Sequence, residues 1–342
     1  MTLEEFLDTW HSPSETLLVH TSGSTGTPKP MLVEKRRMLN SAKITCDFLG
    51  LKPGDAALLC MSLDYIAGKM MVVRSIERSL KLISVKPSGH PLSAESLKNA
   101  NDAAWKQGIT FAAMVPMQVY NTLQVPEERE RLTHIKHLII GGGAIDSALE
   151  AELRSLSGDI AIWSTYGMTE TLSHIALRRI NGKEASEWYQ PFDSVKVSQT
   201  EEGCLVIDAP LVCKQPLVTN DIVEIQPYIY NKVCAKGVRF RIKGRKDNVI
   251  CSGGIKIQIE EVENLLKPHL QKPFMLAKKK DEKFGEIAVL LTEDGDLKKV
   301  EATVRRLLSD NSKKYWIPRE YIHVESLPLT ETGKPKRACL LR

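Results

Sequence analysis

The stretch VHTSGSTGTPKPM, residues 19–31, decides how the rest of the chain is read. It follows a short apolar run and packs two glycines, several hydroxyls and one lysine into a single loop. Gly23 and Gly26 allow the backbone to turn its N–H groups toward a phosphate. Thr21, Ser22, Ser24, Thr25 and Thr27 add hydroxyl donors, and Lys29 adds a positive charge. The lysine does not directly follow the second glycine, so this is not a Walker A loop. Composition alone also fits a solvated surface loop, so the surroundings must decide.

Working outward, short apolar runs alternate with helical patterns from Thr16 to about Trp163. TLLVH is a strand entering the loop, and the helix EKRRMLNSAKITCDFL closes at Gly50. AALLCMS, LKLISVK, HLIIGGG and DIAIWSTYG are further strands. Helices are expected over Ala67–Arg78, over AESLKNANDAAWKQ, and from an N-cap at Asp146. Strands alternating with helices predict a mainly parallel sheet. SVKVSQTEEGCLVIDAP and IVEIQP then look like twisted antiparallel strands. Past a polar waist at Gly244–Asp247 come the helices IEEVENLLK and DLKKVEATVRRLLSD, two strands around KKKDEKFGEIAVLLT, and one near EYIHVES. The expected organisation is α/β: a large domain over residues 1–245, with a parallel sheet plus a distorted antiparallel part, and a small α+β domain over 246–342.

Composition narrows the function classes. The 342 residues are 42% hydrophobic, enough for a real core. No apolar run approaches the ~18 residues of a membrane span, and the acidic start MTLEEFLDTWHSPSE does not resemble a signal peptide. The expected setting is the cytoplasm. The seven cysteines are dispersed, with no C-x-x-C pair, which argues against a disulfide framework or a zinc site. His134 and His137 lead into a strand with no third ligand nearby, so they read as structural or surface histidines. A net charge of +5 with 6% aromatics is too weak a signature for a nucleic-acid binder and suits small anionic ligands.

Two more clusters bear chemistry. STYGMTET, residues 164–171, follows a strand, and Thr169 and Glu170 fall at its end, where open α/β sheets bind ligands. A carboxylate there suits Mg²⁺ beside substrate phosphates, though Glu170 taken alone also reads as a surface acid. TND ends in Asp221, which can accept from ribose hydroxyls or simply form a turn. The order of the pieces is more specific than any one. TSGSTGTPK, GGGA, YGMTE, TND, GRKDN, SGGIKI and TGKPKR, from Val19 to Arg337, resemble in sequence the motifs of the adenylate-forming superfamily: acyl-CoA synthetases, luciferases and peptide-synthetase adenylation domains.

That resemblance implies a reaction: a carboxylate attacks ATP to give an acyl-AMP and pyrophosphate, and a thiol such as coenzyme A then displaces AMP. It implies roles as well. The 21–29 loop would grip the β- and γ-phosphates, Glu170 would hold Mg²⁺, and Thr169 would contact the α-phosphate region. Gly142, Gly143 and Ala144 would flank the adenine, Tyr166 and Gly167 would sit against it, and Asp221 would hold the ribose with Arg245 nearby. Lys334 would bridge the acid and the α-phosphate. Asp247 would be the hinge of a mobile C-terminal domain, with Gly253, Gly254 and Lys256 lining the CoA path.

For the acid, the helix DYIAGKMMVVRSI carries Arg74, which by itself also fits an exposed helix arginine, and TETLSHIALR adds Ser173 and His174. These spacings resemble the o-succinylbenzoate–CoA ligase branch, of menaquinone biosynthesis. A dicarboxylate would need a cation for the carboxylate that is not activated. Two departures stand out: the family usually carries a far longer segment before the phosphate loop, and Asp64-Tyr65 stands where a histidine is common. A reduced scaffold could leave an apolar face bare, to be covered by a homodimer. Beside the ligase reading stand an adenylation domain that loads a carrier protein and a catalytically inactive nucleotide- or acyl-AMP-binding protein.

Overall fold

The computed structural model describes residues 1–20, 30–101, 103–156, 160–229, 236–309, 313–329 and 337. Contacts divide the chain into two compact units. The first comprises Met1–Val197, Ile207–Leu217 and Gln226–Phe240; the second comprises Ser198–Val206, Val218–Ile225 and Arg241–Arg342.

The first unit begins with α1 (Leu3–His11), closed by a capping box between Thr2 and Glu5. Then come β1 (Thr16–His20), β2 (Pro30–Glu34), α2 (Lys35–Leu49), β3 (Ala56–Leu59), α3 (Ile66–Arg78), β4 (Lys81–Ser84) and α4 (Ala94–Lys98). They are followed by β5 (Phe111–Met114), α5 (Pro116–Gln124), α6 (Pro126–Thr133), β6 (His137–Ile140), α7 (Ser147–Ser155), β7 (Ala161–Gly167), β8 (His174–Arg179) and β9 (Gln190–Pro191). Among the described residues, seven strands form the main sheet in the order β4-β3-β5-β6-β7-β8-β9. Its pairs from β4 through β7 are parallel, and β8 and β9 add antiparallel edges. β3 and β5 are buried at every position, the continuous apolar run expected of a parallel strand covered on both faces. Leu58, Leu138, Ile140 and Ile162 join one core under this sheet. Asp146 caps α7 by accepting from the N–H groups of Ala148 and Leu149.

Two expectations fail locally, each for a physical reason. TLLVH is not part of the parallel sheet: β1 pairs antiparallel with β2. Its Leu17 and Val19 are buried while Leu18 is exposed, the alternation of a strand covered on one face only. AESLKNANDAAWKQ is not one helix, because α4 stops at Asn99 and a 3₁₀ turn follows over Ala103–Gln107. Asn101 ties the connection to β4, accepting from Ser84 N–H and donating to the Leu82 carbonyl, bonds that compete with a continuing helix.

Beyond β9, β10 (Lys196–Gln199), β11 (Cys204–Asp208), β12 (Leu217–Ile229) and β13 (Lys236–Arg245) form a sheet in that order. The second unit continues with β14 (Val249–Ser252), β15 (Ile255–Gln258), α8 (Ile259–Leu266), β16 (Phe274–Asp281), β17 (Gly285–Thr292), α9 (Leu297–Leu307) and β18 (Glu320–His323). Its sheet runs β15-β14-β17-β16, and β18 lies parallel to β17. Ile250, Val262, Leu266, Leu290 and Val304 make its own core. The mixed α/β architecture expected from the sequence is the one observed. Among the described residues, no helix is long and apolar enough to cross a membrane.

Candidate active site

Because β6 and β7 are parallel neighbours, the segments that leave their C-terminal ends emerge on one edge of the main sheet. The loop after β6 holds Gly142, Gly143 and Ala144, all exposed, with Gly142 at φ 80°. At the end of β7, Tyr166 is buried, with its ring edge-on to Phe240 at 5.1 Å and tilted against Tyr189 at 5.9 Å. Thr169 is buried and Glu170 exposed on the 3₁₀ turn that follows. Leu172, at φ 66°, then reverses the chain into β8. Gly167 permits the close return: a Cβ there would lie 2.3 Å from the Ser173 carbonyl oxygen and 2.5 Å from the His174 Cα. The turn that presents Glu170 thus also sets Ser173 and His174 against the middle of the unit.

There they meet Arg74 from α3. Arg74 is only 2% exposed, yet no carboxylate among the described residues pairs with it. Its Nη2 donates to Ser173 Oγ, its Nη1 lies 3.7 Å from Met71 Sδ, and its Nε has no partner. Burial pulls its pKa down to about 10, which leaves it charged at neutral pH. Ser173 Oγ lies 3.2 Å from His174 Nδ1, His174 Nε2 lies 3.1 Å from Thr45 Oγ1, and Thr45 donates to the Ser41 carbonyl at 3.1 Å. Burial, and then the Arg74 charge, hold the His174 pKa well below the ordinary histidine range, so the imidazole is neutral. Also on α3, Lys69 is 3% exposed and donates to the Leu63 carbonyl, with its pKa lowered by burial. A buried, incompletely satisfied guanidinium is costly, and an anion that pairs with it recovers that penalty.

In the second unit, the structure brings Asp221, Arg245 and Asp247 together. Arg245 donates to Asp221 at 3.1 Å and to Asp247 at 2.9 Å, and Asn220 also donates to Asp247. Asp221 sits in the strand β12, not in a turn. Gly253 and Gly254, at φ 56° and 86°, make the two-residue turn between β14 and β15, where Ser252 pairs with Ile255. Positive φ at both positions is what such a hairpin demands, so the turn alone explains the glycine pair. Lys256 is exposed on β15. Thr21, Ser22, Gly23, Ser24, Thr25, Gly26 and Lys29 of the phosphate loop, and Lys334, lie outside the described residues.

Sequence reasoning missed Ser41 and Thr45. The signal was there: they stand four apart among Met38, Ala42, Cys46 and Leu49 on the buried face of α2, polar groups at core positions. It also missed Tyr189 and Phe240, which wedge Tyr166 in place and are mutually stacked at 5.6 Å.

Comparison with known proteins gives this geometry a family. The AMP-binding enzyme family matches residues 8–208. A plipastatin synthase polypeptide of Bacillus subtilis is 25% identical over 94% of this chain, which spans 13% of that much longer protein. The 2-succinylbenzoate–CoA ligase of Bacillus mycoides is 22% identical over 97% of this chain, which covers 71% of the ligase. Among solved structures, an acyl-CoA synthetase (AMP-forming)/AMP-acid ligase II-like protein from Dyadobacter fermentans is 32% identical at a TM-score of 0.62, the alignment covering 97% of this chain and 91% of that one. The o-succinylbenzoate coenzyme A synthetase of Bacillus subtilis, solved with ATP and magnesium ion, is 21% identical at a TM-score of 0.71, covering 94% of this chain and 69% of that one. With a match across more than half its length and the fold to go with it, the chain belongs to the AMP-binding enzyme family, the adenylate-forming superfamily.

Proposed function

We propose that this protein is a cytoplasmic, ATP-dependent acid–CoA ligase acting on o-succinylbenzoate in menaquinone biosynthesis. The observation that carries the choice of acid is Arg74, a buried cation with Ser173 and Met71 for company and no carboxylate among the described residues. The acid has two carboxylates; one is activated, and the other answers the guanidinium. The second buried cation on α3, Lys69, raises the positive potential around that helix. A fatty-acyl pocket would have no use for either.

In the first half-reaction the succinyl carboxylate forms a bond to the α-phosphorus of ATP, and the bond to the pyrophosphate oxygen breaks. In the second, the CoA sulfur attacks the acyl carbon and AMP leaves. Both steps depend on positioning and charge neutralisation. Lys29 and the hydroxyls of the 21–29 loop hold the β- and γ-phosphates. Glu170, an exposed carboxylate at a strand end, suits a hard cation, and the Mg²⁺ it would hold supplies positive charge to the triphosphate. Thr169 contacts the α-phosphate region, Tyr166 and Gly142 to Ala144 take the adenine, and Asp221 with Arg245 takes the ribose. Lys334 offsets the charge that builds at the α-phosphate. Residues 246–342 act as the mobile domain about Asp247, and Gly253, Gly254 and Lys256 line the thiol's approach. A homodimer would cover apolar surface such as the Leu18–Leu32 pair on β1 and β2.

The test is pyrophosphate release over a panel of acids, with and without CoA. The proposal expects o-succinylbenzoate to be the best acid and its CoA thioester to form with no carrier protein. Likeness to a plipastatin synthase polypeptide favours a second reading, an adenylation domain serving a carrier; failure of free CoA to accept the acyl group would support it. Turnover of no acid at all would favour a nucleotide-binding protein without catalysis. Lys334→Ala is expected to lower adenylation at least about 100-fold while sparing thioester formation from supplied acyl-AMP; equal loss of both steps would remove Lys334 from its role.

A further inference from the structure

We infer that His174 and Thr45 are positioning residues that turn the hydroxyl of Ser173 into a pure hydrogen-bond acceptor toward Arg74. The guanidinium is thereby fixed in place with its charge intact for the acid's second carboxylate. The inference rests on the reading of Arg74 as the anchor for that carboxylate and adds the device that holds it.

The count of available hydrogens fixes the direction of each bond. A threonine hydroxyl has a single hydrogen, and a backbone carbonyl can only accept. Thr45 Oγ1 lies 3.1 Å from the Ser41 carbonyl oxygen, so its hydrogen is committed there. Thr45 can then only accept from His174 Nε2, 3.1 Å away, so the Nε2 position carries hydrogen. The imidazole is neutral, which leaves Nδ1 bare. Ser173 Oγ, 3.2 Å from Nδ1, therefore gives its hydrogen to the ring and turns only lone pairs toward Arg74 Nη2. The direction runs one way from guanidinium to helix backbone, and each bond in such a chain polarises the next. The opposite direction would leave Thr45 and the Ser41 oxygen in contact without a hydrogen between them.

An aspartate in place of Ser173 would orient the same guanidinium but neutralise it. The relay orients without neutralising. Thr45 is fully buried and His174 7% exposed, so water does not substitute for either partner. Arg74 Nε, buried and unpartnered, is a donor the relay leaves for the acid.

Two measurements on the full-length protein test this. The first is the ¹⁵N resonance pattern of His174, identified by its loss in His174→Gln. The relay requires a protonated Nε2 and a bare Nδ1; the reverse tautomer would overturn it, whatever acid the enzyme uses. The second compares o-succinylbenzoate with 4-oxo-4-phenylbutanoate, which lacks the ring carboxylate. Thr45→Val should raise KM for the dicarboxylate about five- to tenfold, the effect of one misplaced hydrogen bond, with KM for ATP and for the monocarboxylate unchanged. Thr45→Ser should restore the original value. An equal shift for both acids would make Thr45 a mere packing residue. Arg74→Ala separates the two levels of the argument. If it distinguishes the acids while Thr45→Val does not, the relay fails; if it does not distinguish them, the reading of Arg74 itself fails.

Discussion

Two buried arginines of the first unit, Arg74 on α3 and Arg178 on β8, live under opposite rules. Arg178 is 9% exposed and grips Glu150 with both terminal nitrogens at 2.8 Å, donates to the Ser186 carbonyl, and lies 5.6 Å over the Tyr189 ring. Burial alone would lower its pKa, but the Glu150 hydrogen bonds and the carboxylate and Tyr189 charges reverse the sign and hold it above the ordinary value. Glu150 is correspondingly held below the usual carboxylate range, first by its hydrogen bond from Arg178. Arg74 is more deeply buried and has a hydroxyl and a thioether instead. A structural arginine brings its own counter-ion. Arg74 has none among the described residues, and the proposal assigns it one that arrives with the acid.

Substitution and titration separate the two arginines. Arg178→Met should destabilise the fold by about 1–3 kcal/mol, because it removes two charge-assisted hydrogen bonds from a partly buried Glu150 that then keeps only Arg154; no loss in denaturant unfolding would mean the pair is dispensable. Next comes pH. The folded-state pKa of His174 lies below its unfolded value, so below about pH 6.5 the unfolded chain binds a proton that the folded chain refuses. Stability should therefore fall as pH drops from there toward the folded pKa, by up to about 1.4 kcal/mol per pH unit. Half-buried His137, also lowered by burial, adds to this. His174→Gln should flatten most of the slope, and an unchanged slope would place the titration elsewhere. The smallest effect is the most telling. Arg74→Met should leave stability unchanged or raise it by about 1 kcal/mol, since it removes a buried charge and orphans no charged group, Ser173 keeping its bond to His174; a loss as large as that of Arg178→Met would make Arg74 an ordinary scaffold residue.

Much of this was legible in the sequence, in proportion to how local each signal is. Gly50 ends α2 at φ 64° because a left-handed cap needs a residue without a side chain, and Asp146 caps α7 by bonds within its own turn. Such contacts are written into neighbouring letters. β1 misled because a short apolar run states that a strand exists, not which neighbour it takes. At the candidate site, the spacing of Arg74, Ser173 and His174 pointed to the acid, and the fold does place the three together. What could not be read was the company Arg74 keeps. Ser173 lies 99 residues away, and Thr45 lies 129 residues from His174, so neither contact leaves a local trace.

The central claim is that Arg74 waits, charged and unneutralised, for a carboxylate that the reaction does not consume. The most direct measurement is kcat/KM for pyrophosphate release with o-succinylbenzoate and with 4-oxo-4-phenylbutanoate, in the wild type and in Arg74→Met. The account predicts a preference of at least about 100-fold for the dicarboxylate in the wild type, the size of a buried charge-assisted pair, collapsing toward parity in the variant. Equal use of both acids by the wild type, or a preference that survives in Arg74→Met, would contradict it.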